Sequence, residues 1–274
     1  MSKWLLLVLF VFSFPASAYQ CKESSCSDIR WGLGTFYNRF DFSANPEFNN
    51  VGGYFAASLG KYWKWFALSA NVNLGIGSTN ITSNIDTTTK KDVNGFITFG
   101  YFMGANLGSL QTPFLLSLAL HVDWHDLAWN NTEHKLSMSM PFIGFNAAGH
   151  VSVHQNIDIE YQAGYSYLFS GHYVDRHGYA NRSTLNGGHR FEAAIGMLYK
   201  RNANNFIQLE TENKVDFYLR FKGIYYQIGA SDSVIINSQA SNYPASANFM
   251  LLLEFGIASN FNYYKYSKYS QVLK

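Results

Sequence analysis

Residues 66–77, FALSANVNLGIG, decide how this chain is read. Phe66, Leu68, Ala70, Val72, Leu74 and Ile76 share one parity, while Ala67, Ser69, Asn71, Asn73, Gly75 and Gly77 share the other. Successive side chains on a strand point to opposite faces, so the stretch has one apolar face and one small, polar face. Strands of soluble domains usually run about five or six residues. Here the alternation lasts about twice as long, near the roughly 9–11 residues with which a tilted strand crosses a bilayer. The pattern predicts an all-β, transmembrane, antiparallel up-and-down barrel with hydrocarbon outside and a polar lumen inside.

The same alternation recurs on both sides of that stretch. Segments at about 29–40, 51–60, 93–105, 114–124, 157–169, 191–199 and 249–261 carry it clearly. The segment 136–153 changes parity midway: Leu136, Met138 and Met140 lie on one phase, Ile143, Phe145 and Ala147 on the other. Pro141 stands at the switch, which predicts a β-bulge there. The segment 206–221 is interrupted by Thr211 and Asn213, and Ile224 to Ile228 could extend it. Counting gives about ten strands, an even number as bacterial barrels require. Long polar connections such as 78–92 and 170–187 alternate with short ones such as 154–156. That rhythm predicts long extracellular loops, short periplasmic turns and both ends of the chain in the periplasm. Tyr62, Trp63, Trp65 and Trp124 are candidate interface aromatics, because an amphipathic ring suits the level where membrane meets water.

Composition agrees with that solvent. Aromatic residues make up 18% and charged residues 14% of the chain, whereas charged residues in soluble domains run near a quarter. The net charge of +2 gives no case for a nucleic-acid partner. Lys3, the apolar run from Trp4 to Phe14, and Ala16-Ser17-Ala18 have the form of a signal peptide over residues 1–18. The expected organisation is then a periplasmic segment over 19–28, the barrel over 29–261 and a periplasmic tail over 262–274. Cys21 and Cys26 are the only cysteines, and an even count in an exported protein argues for a disulfide between them. No cysteine set with metal-ligand spacing exists, and no cofactor is expected.

The chain resembles the small outer-membrane β-barrel proteins of Gram-negative bacteria. Leu253, Phe255, Ile257 and Phe261, with Gly256, resemble the C-terminal assembly signal of that class. Two departures stand out: Ser259 occupies a position where an aromatic is common, and Asn262 to Lys274 continue beyond the usual end. The tyrosine-rich composition is similar to outer-membrane proteins of the Helicobacter and Campylobacter group. What the resemblance implies is an outer-membrane location, contact with lipid and lipopolysaccharide, and delivery by the barrel assembly machinery. It names no activity.

Three readings of function follow. His121, Asp123 and His125 take the lumen parity of their strand. An Asp–His pair on a barrel strand resembles half the catalytic site of the omptin proteases, in which an imidazole activates water. The facing pair of aspartates that family also needs has no counterpart near a strand top. The same residues could bind metal, since imidazole and carboxylate suit zinc, or belong to a lumen charge network. Asp158, Glu160, Arg190, Glu192, Glu210 and Glu254 also take the inward parity, and buried charges are tolerable only when paired. The leading expectation is therefore a non-enzymatic barrel with a filled lumen, acting through surface loops in recognition, adhesion or envelope integrity, with a host or environmental ligand at the loops. The alternatives are an omptin-like protease or lipid-modifying hydrolase at the rim, and a narrow channel or transporter.

Overall fold

The computed structural model describes residues 25–43, 47–82, 90–110, 112–129, 136–154, 156–175, 181–185, 187–200, 215–236 and 239–259. Their strands are β1 (Ser25–Phe42), β2 (Glu47–Trp63), β3 (Phe66–Thr82), β4 (Lys90–Asn106), β5 (Phe114–Asp126), β6 (Leu136–His154) and β7 (Ile157–Leu168). There follow β8 (His172–Asp175), β9 (Asn181–Thr184), β10 (Gly188–Tyr199), β11 (Val215–Ile228), β12 (Val234–Ile236), β13 (Gln239–Ser241) and β14 (Ser246–Ser259). Ten of them, β1–β7, β10, β11 and β14, form an antiparallel sheet that closes through β5 pairing with β6. The barrel leaves no edge strand unpaired. The remaining short strands form hairpins in the connections: β8 with β9 beside β6, and β12 with β13.

Residues 66–77 lie in β3 with the parity expected of them. Leu74 and Ile76 are exposed on the outer wall, while Asn73 and Thr79 are buried inside. Leu33, Leu59, Phe99, Leu118, Phe145, Ile195, Leu219 and Phe255 continue the exposed apolar wall around the barrel. In a soluble protein so many exposed large apolar side chains would be an aggregation surface; hydrocarbon is the solvent that suits them.

Several boundaries and orientations differ from the sequence reading. β1 begins at Ser25 rather than Ile29, which brings Asp28 into the barrel. Residues 201–214 and 260–274 lie outside the described residues, and β11 is seen from Val215 through Ile228. No bulge occurs at Pro141. The β5–β6 register runs unbroken from Phe114↔Gly149 to Asp126↔Ser137, and the irregularity in β6 falls between Ser152 and His154. Pro141 instead marks the point where β6 changes partner, from β7 at Phe142↔Leu168 to β8 at Ser139↔His172. Its carbonyl accepts the Phe169 N–H at 3.3 Å, so its missing N–H falls on the side where the ladder is interrupted. Met138 and Met140 keep the inward parity and are fully buried. The apparent phase switch arises because the inside of the barrel is itself apolar at this height.

Inward glycines explain how a narrow lumen holds so many rings. Phe36 pairs with Gly52, Tyr54 with Gly34, Phe96 with Gly75 and Tyr218 with Gly256. At Gly75 an added methyl would collide with the Phe96 ring, and similar collisions arise at Gly34 and Gly52. An aromatic ring laid across a facing glycine covers its exposed backbone. Tyr62 uses a related device and corrects its assignment to the membrane interface. It has the inward parity of β2, its ring occupies the space over Gly60, and it lines a cavity inside the barrel. Trp63 and Trp65 do sit on the outside at the turn end, with Lys61 Nζ 5.1 Å and Lys64 Nζ 5.3 Å from their ring centroids. Trp124 is exposed near the opposite end of β5.

Candidate functional site

The lumen is where the sequence places its chemistry, and it is filled in two tiers. Nearer the turn end, Arg30 of β1 reaches across to Glu160 of β7, with Nη1 and Nη2 each 2.7 Å from a carboxylate oxygen. Such a two-pronged pair fixes geometry as well as charge. Arg30 Nε also donates to Asp28 at 2.7 Å, and Arg220 approaches Glu160 at 3.5 Å. The Tyr54 hydroxyl donates to Glu254 at 3.2 Å and the Tyr218 hydroxyl donates to its other oxygen. Asp158 accepts from Lys200 and from Ser152, both at 2.6 Å. A cavity of about 120 Å³ remains among Asp28, Arg30, His150, Glu160, Gln162 and Arg220.

A second network stands deeper in the barrel, built from β5, β10 and β11. Arg190 Nε donates to Asp123 Oδ2 at 2.9 Å, and its Nη1 lies 3.1 Å from Glu192 and 3.3 Å from His121 Nε2. Lys222 Nζ is 2.7 Å from Glu192, and the Gln162 amide donates to the same carboxylate at 2.9 Å. The Tyr226 hydroxyl donates to Asp123 at 2.8 Å. Every carboxylate in this cluster faces a cation, which is the condition for burying it.

Tyr226 is the seam between the tiers. Its hydroxyl belongs to the ion-pair network, while its ring packs 5.9 Å from Phe142 and 5.9 Å from His125. Beyond it the lumen is apolar: Phe36, Phe40, Phe42, Phe48, Phe96, Met138, Met140, Leu168 and Met250 form one buried cluster. His125 sits among them, 4.9 Å from Phe40 and 6.0 Å from Phe96. Neither of its ring nitrogens has a hydrogen-bond partner among the described residues. Connections close over this cluster. The Tyr173 ring of β8 packs at a tilt against Tyr243, centroids 4.5 Å apart, and Asp232 N–H donates to Thr184 O at 2.9 Å, tying the β11–β14 connection to the β8–β9 hairpin. Burial raises the pKa of the Tyr173 hydroxyl above the ordinary phenol range.

His121, Asp123 and His125 therefore do not line a cleft at the rim. All three are buried, at 3%, 0% and 1% exposure, and they split between the two tiers. His121 and Asp123 join Arg190 and Glu192 in the ion-pair network; His125 belongs to the apolar cluster. Among the described residues, no group of His, Cys, Asp and Glu is arranged to hold a metal. Asp158, Glu160, Arg190, Glu192 and Glu254 all point into the lumen as their parity requires, while Glu210 lies outside the described residues. Cys26 is buried at the start of β1, and Cys21 lies outside the described residues.

Sequence reasoning missed Asp28, Arg30, Lys222 and the tyrosines that serve the carboxylates. Their parity was the available signal: Asp28 and Arg30 share that of Gly32, opposite to Trp31 and Leu33. The apolar cluster carried a fainter one, an inward aromatic facing a glycine across the strand pair.

No protein-family model and no curated protein matches the chain. Among solved structures it is similar to the outer membrane protease OmpT from Escherichia coli, at 11% identity and a TM-score of 0.48, covering 86% of this chain and 96% of that one. It is also similar to the beta domain of the Bordetella autotransporter BrkA, at 15% identity and a TM-score of 0.38, covering 86% and 100%. A third is Ail, the attachment invasion locus protein of Yersinia pestis, at 6% identity and a TM-score of 0.29, covering 85% and 98%. None of the three ties the chain to the Helicobacter and Campylobacter group. With TM-scores this low the likenesses are loose, and the barrel described above stands on the chain's own strand register.

Proposed function

We propose that this protein is a closed, non-enzymatic outer-membrane barrel that works through its loop-end surface rather than through its lumen. The observation that carries this reading is the stacking of an apolar plug on an ion-pair network inside the barrel. A solute would have to displace both tiers, and small barrels are characteristically filled by their side chains. The outer-membrane location is supported by the closed ten-stranded sheet with its apolar outer wall, and by the signal-peptide pattern of residues 1–18. In this reading His121 and Asp123 are members of the lumen network, and His125 packs in the plug. The contacts expected with lipid, lipopolysaccharide and the assembly machinery follow from the location, and adhesion or envelope integrity from the exposed connections.

The test replaces residues 172–185 with a short Gly/Ser turn in the full-length protein displayed on cells. Expected are intact assembly, shown by heat-modifiable electrophoretic migration, and loss of cell adherence to immobilised host matrix or of detergent resistance. If solute uptake falls while both surface properties stay unchanged, the loop-end reading is wrong.

A further inference from the structure

The outer wall changes character at one place near the loop end. Strand register aligns Asp41, Ala247, Gln227, His189 and Tyr167 in one cross-strand row over β1, β14, β11, β10 and β7. The next row toward the turn end is Arg39, Phe249, Tyr225, Phe191 and Tyr165. The first row is mostly polar, with the small Ala247 between Asp41 and Gln227; the second is mostly aromatic. Below both, Gly223, Ala193 and Ala163 stand side by side and leave a shallow hollow in the apolar wall. Directly opposed residues on one face lie about 5 Å apart, so each row is a continuous strip. Along the upper strip a groove of about 570 Å³ opens on the outer surface.

The groove's chemistry is specific. Tyr167, His189 and Tyr225 supply ring faces and edges, and the Tyr165 hydroxyl meets His189 Nδ1 at 2.9 Å, which fixes the imidazole. Asp41 and Gln227 supply hydrogen-bonding groups at the rim. No lysine or arginine lines the groove among the described residues. The neighbouring Arg39 is engaged by Asp41 at 3.1 Å and Glu47 at 2.7 Å. Recognition of phosphate favours arginine and lysine. Flat rings beside an amide and a carboxylate instead suit an uncharged sugar, which offers C–H faces to the rings and hydroxyls to the polar groups.

We infer that this groove holds the saccharide headgroup of a glycolipid in the leaflet at the loop end, with its acyl chains descending over the Gly223–Ala193–Ala163 hollow. Continuity of the polar strip with the apolar wall selects a membrane lipid over a free sugar. The inference rests on the reading that the barrel spans a membrane.

To test it, the full-length protein is folded into phosphatidylcholine vesicles containing diglycosyl diacylglycerol, an uncharged glycolipid, and lipid retained on release is measured by native mass spectrometry. Parallel arms contain phosphatidylglycerol in place of the glycolipid, or free disaccharide in the buffer. Expected is retention of the glycolipid over both comparators, reduced about tenfold in a Tyr167→Ala/Gln227→Ala variant whose heat-modifiable migration is unchanged. Equal retention of phosphatidylglycerol, binding of free disaccharide as strong as that of the glycolipid, or retention unaltered in the variant would overturn the site while leaving the membrane reading intact. Failure of the protein to insert into any vesicle would sink the membrane reading itself, and the site with it.

Discussion

The two ends of β1 obey opposite rules. Toward the turn end, Asp28 and Arg30 point into the barrel and Trp31 and Leu33 point out. Toward the loop end, Phe40 and Phe42 point in, and Arg39 and Asp41 point out. β2 repeats the reversal, with Phe48 buried beside Glu47 and Asn49, and Val51 exposed soon after. The strands explain why. β1 to β4 run 17 or 18 residues, well beyond the length needed to cross hydrocarbon. The part in the membrane has an apolar solvent outside and can keep polar groups within. The part beyond it has water outside, so it must bury its apolar side chains inward like a soluble barrel. One continuous sheet thus contains two inverted folding problems, and the lumen changes from ion pairs to hydrocarbon where they meet.

That contrast can be broken from either side. Arg190→Ala is expected to do the most damage, about 3–5 kcal/mol, because it strands Asp123, whose side chain is 0% exposed, and takes from Glu192 a cation it shares with Lys222. The measurement is the urea midpoint of the folded protein in detergent, and a shift worth less than about 1 kcal/mol would contradict the network account. Met140→Ala attacks the apolar tier. It removes a fully buried side chain and should cost about 2–5 kcal/mol by the same assay. Gly75→Val forces a side chain into the Phe96 ring and is expected to cost about 1–3 kcal/mol. If Gly75→Val folds with wild-type stability, the ring-over-glycine packing has been misread. Arg39→Ala also removes an arginine from two carboxylates, yet its side chain is 39% exposed, so the expected loss is at most about 1 kcal/mol. Arg190 and Arg39 make a matched pair: similar contacts, opposite surroundings.

Much of this architecture is legible in residues alone. Strands that cross the membrane announce themselves by parity, because hydrocarbon outside and polar groups inside make the two faces chemically distinct; β5 and residues 66–77 of β3 show it without a break. Legibility fails where the chemistry of the two faces converges. Leu136, Met138 and Met140 imply a phase change at Pro141 only if every apolar side chain faces lipid. They fill the plug instead, and Pro141 keeps its parity. Tyr62 is ambiguous for a similar reason: an amphipathic ring suits both a headgroup layer and a polar lumen, and only the vacant space over Gly60 decides between them. For the candidate site, parity put His121, Asp123 and His125 inside the barrel but carried no information on depth. Their burial depends on Arg190, Tyr226 and the rings of Phe40 and Phe96, which arrive from distant segments of the chain.

The proposal that side chains seal the lumen meets its sharpest test in planar-bilayer recording of the purified wild-type protein. The plug above the Arg190–Asp123 network predicts insertion without stepwise ion current at physiological voltage and salt. A steady, reproducible unit conductance from the wild-type protein would contradict it.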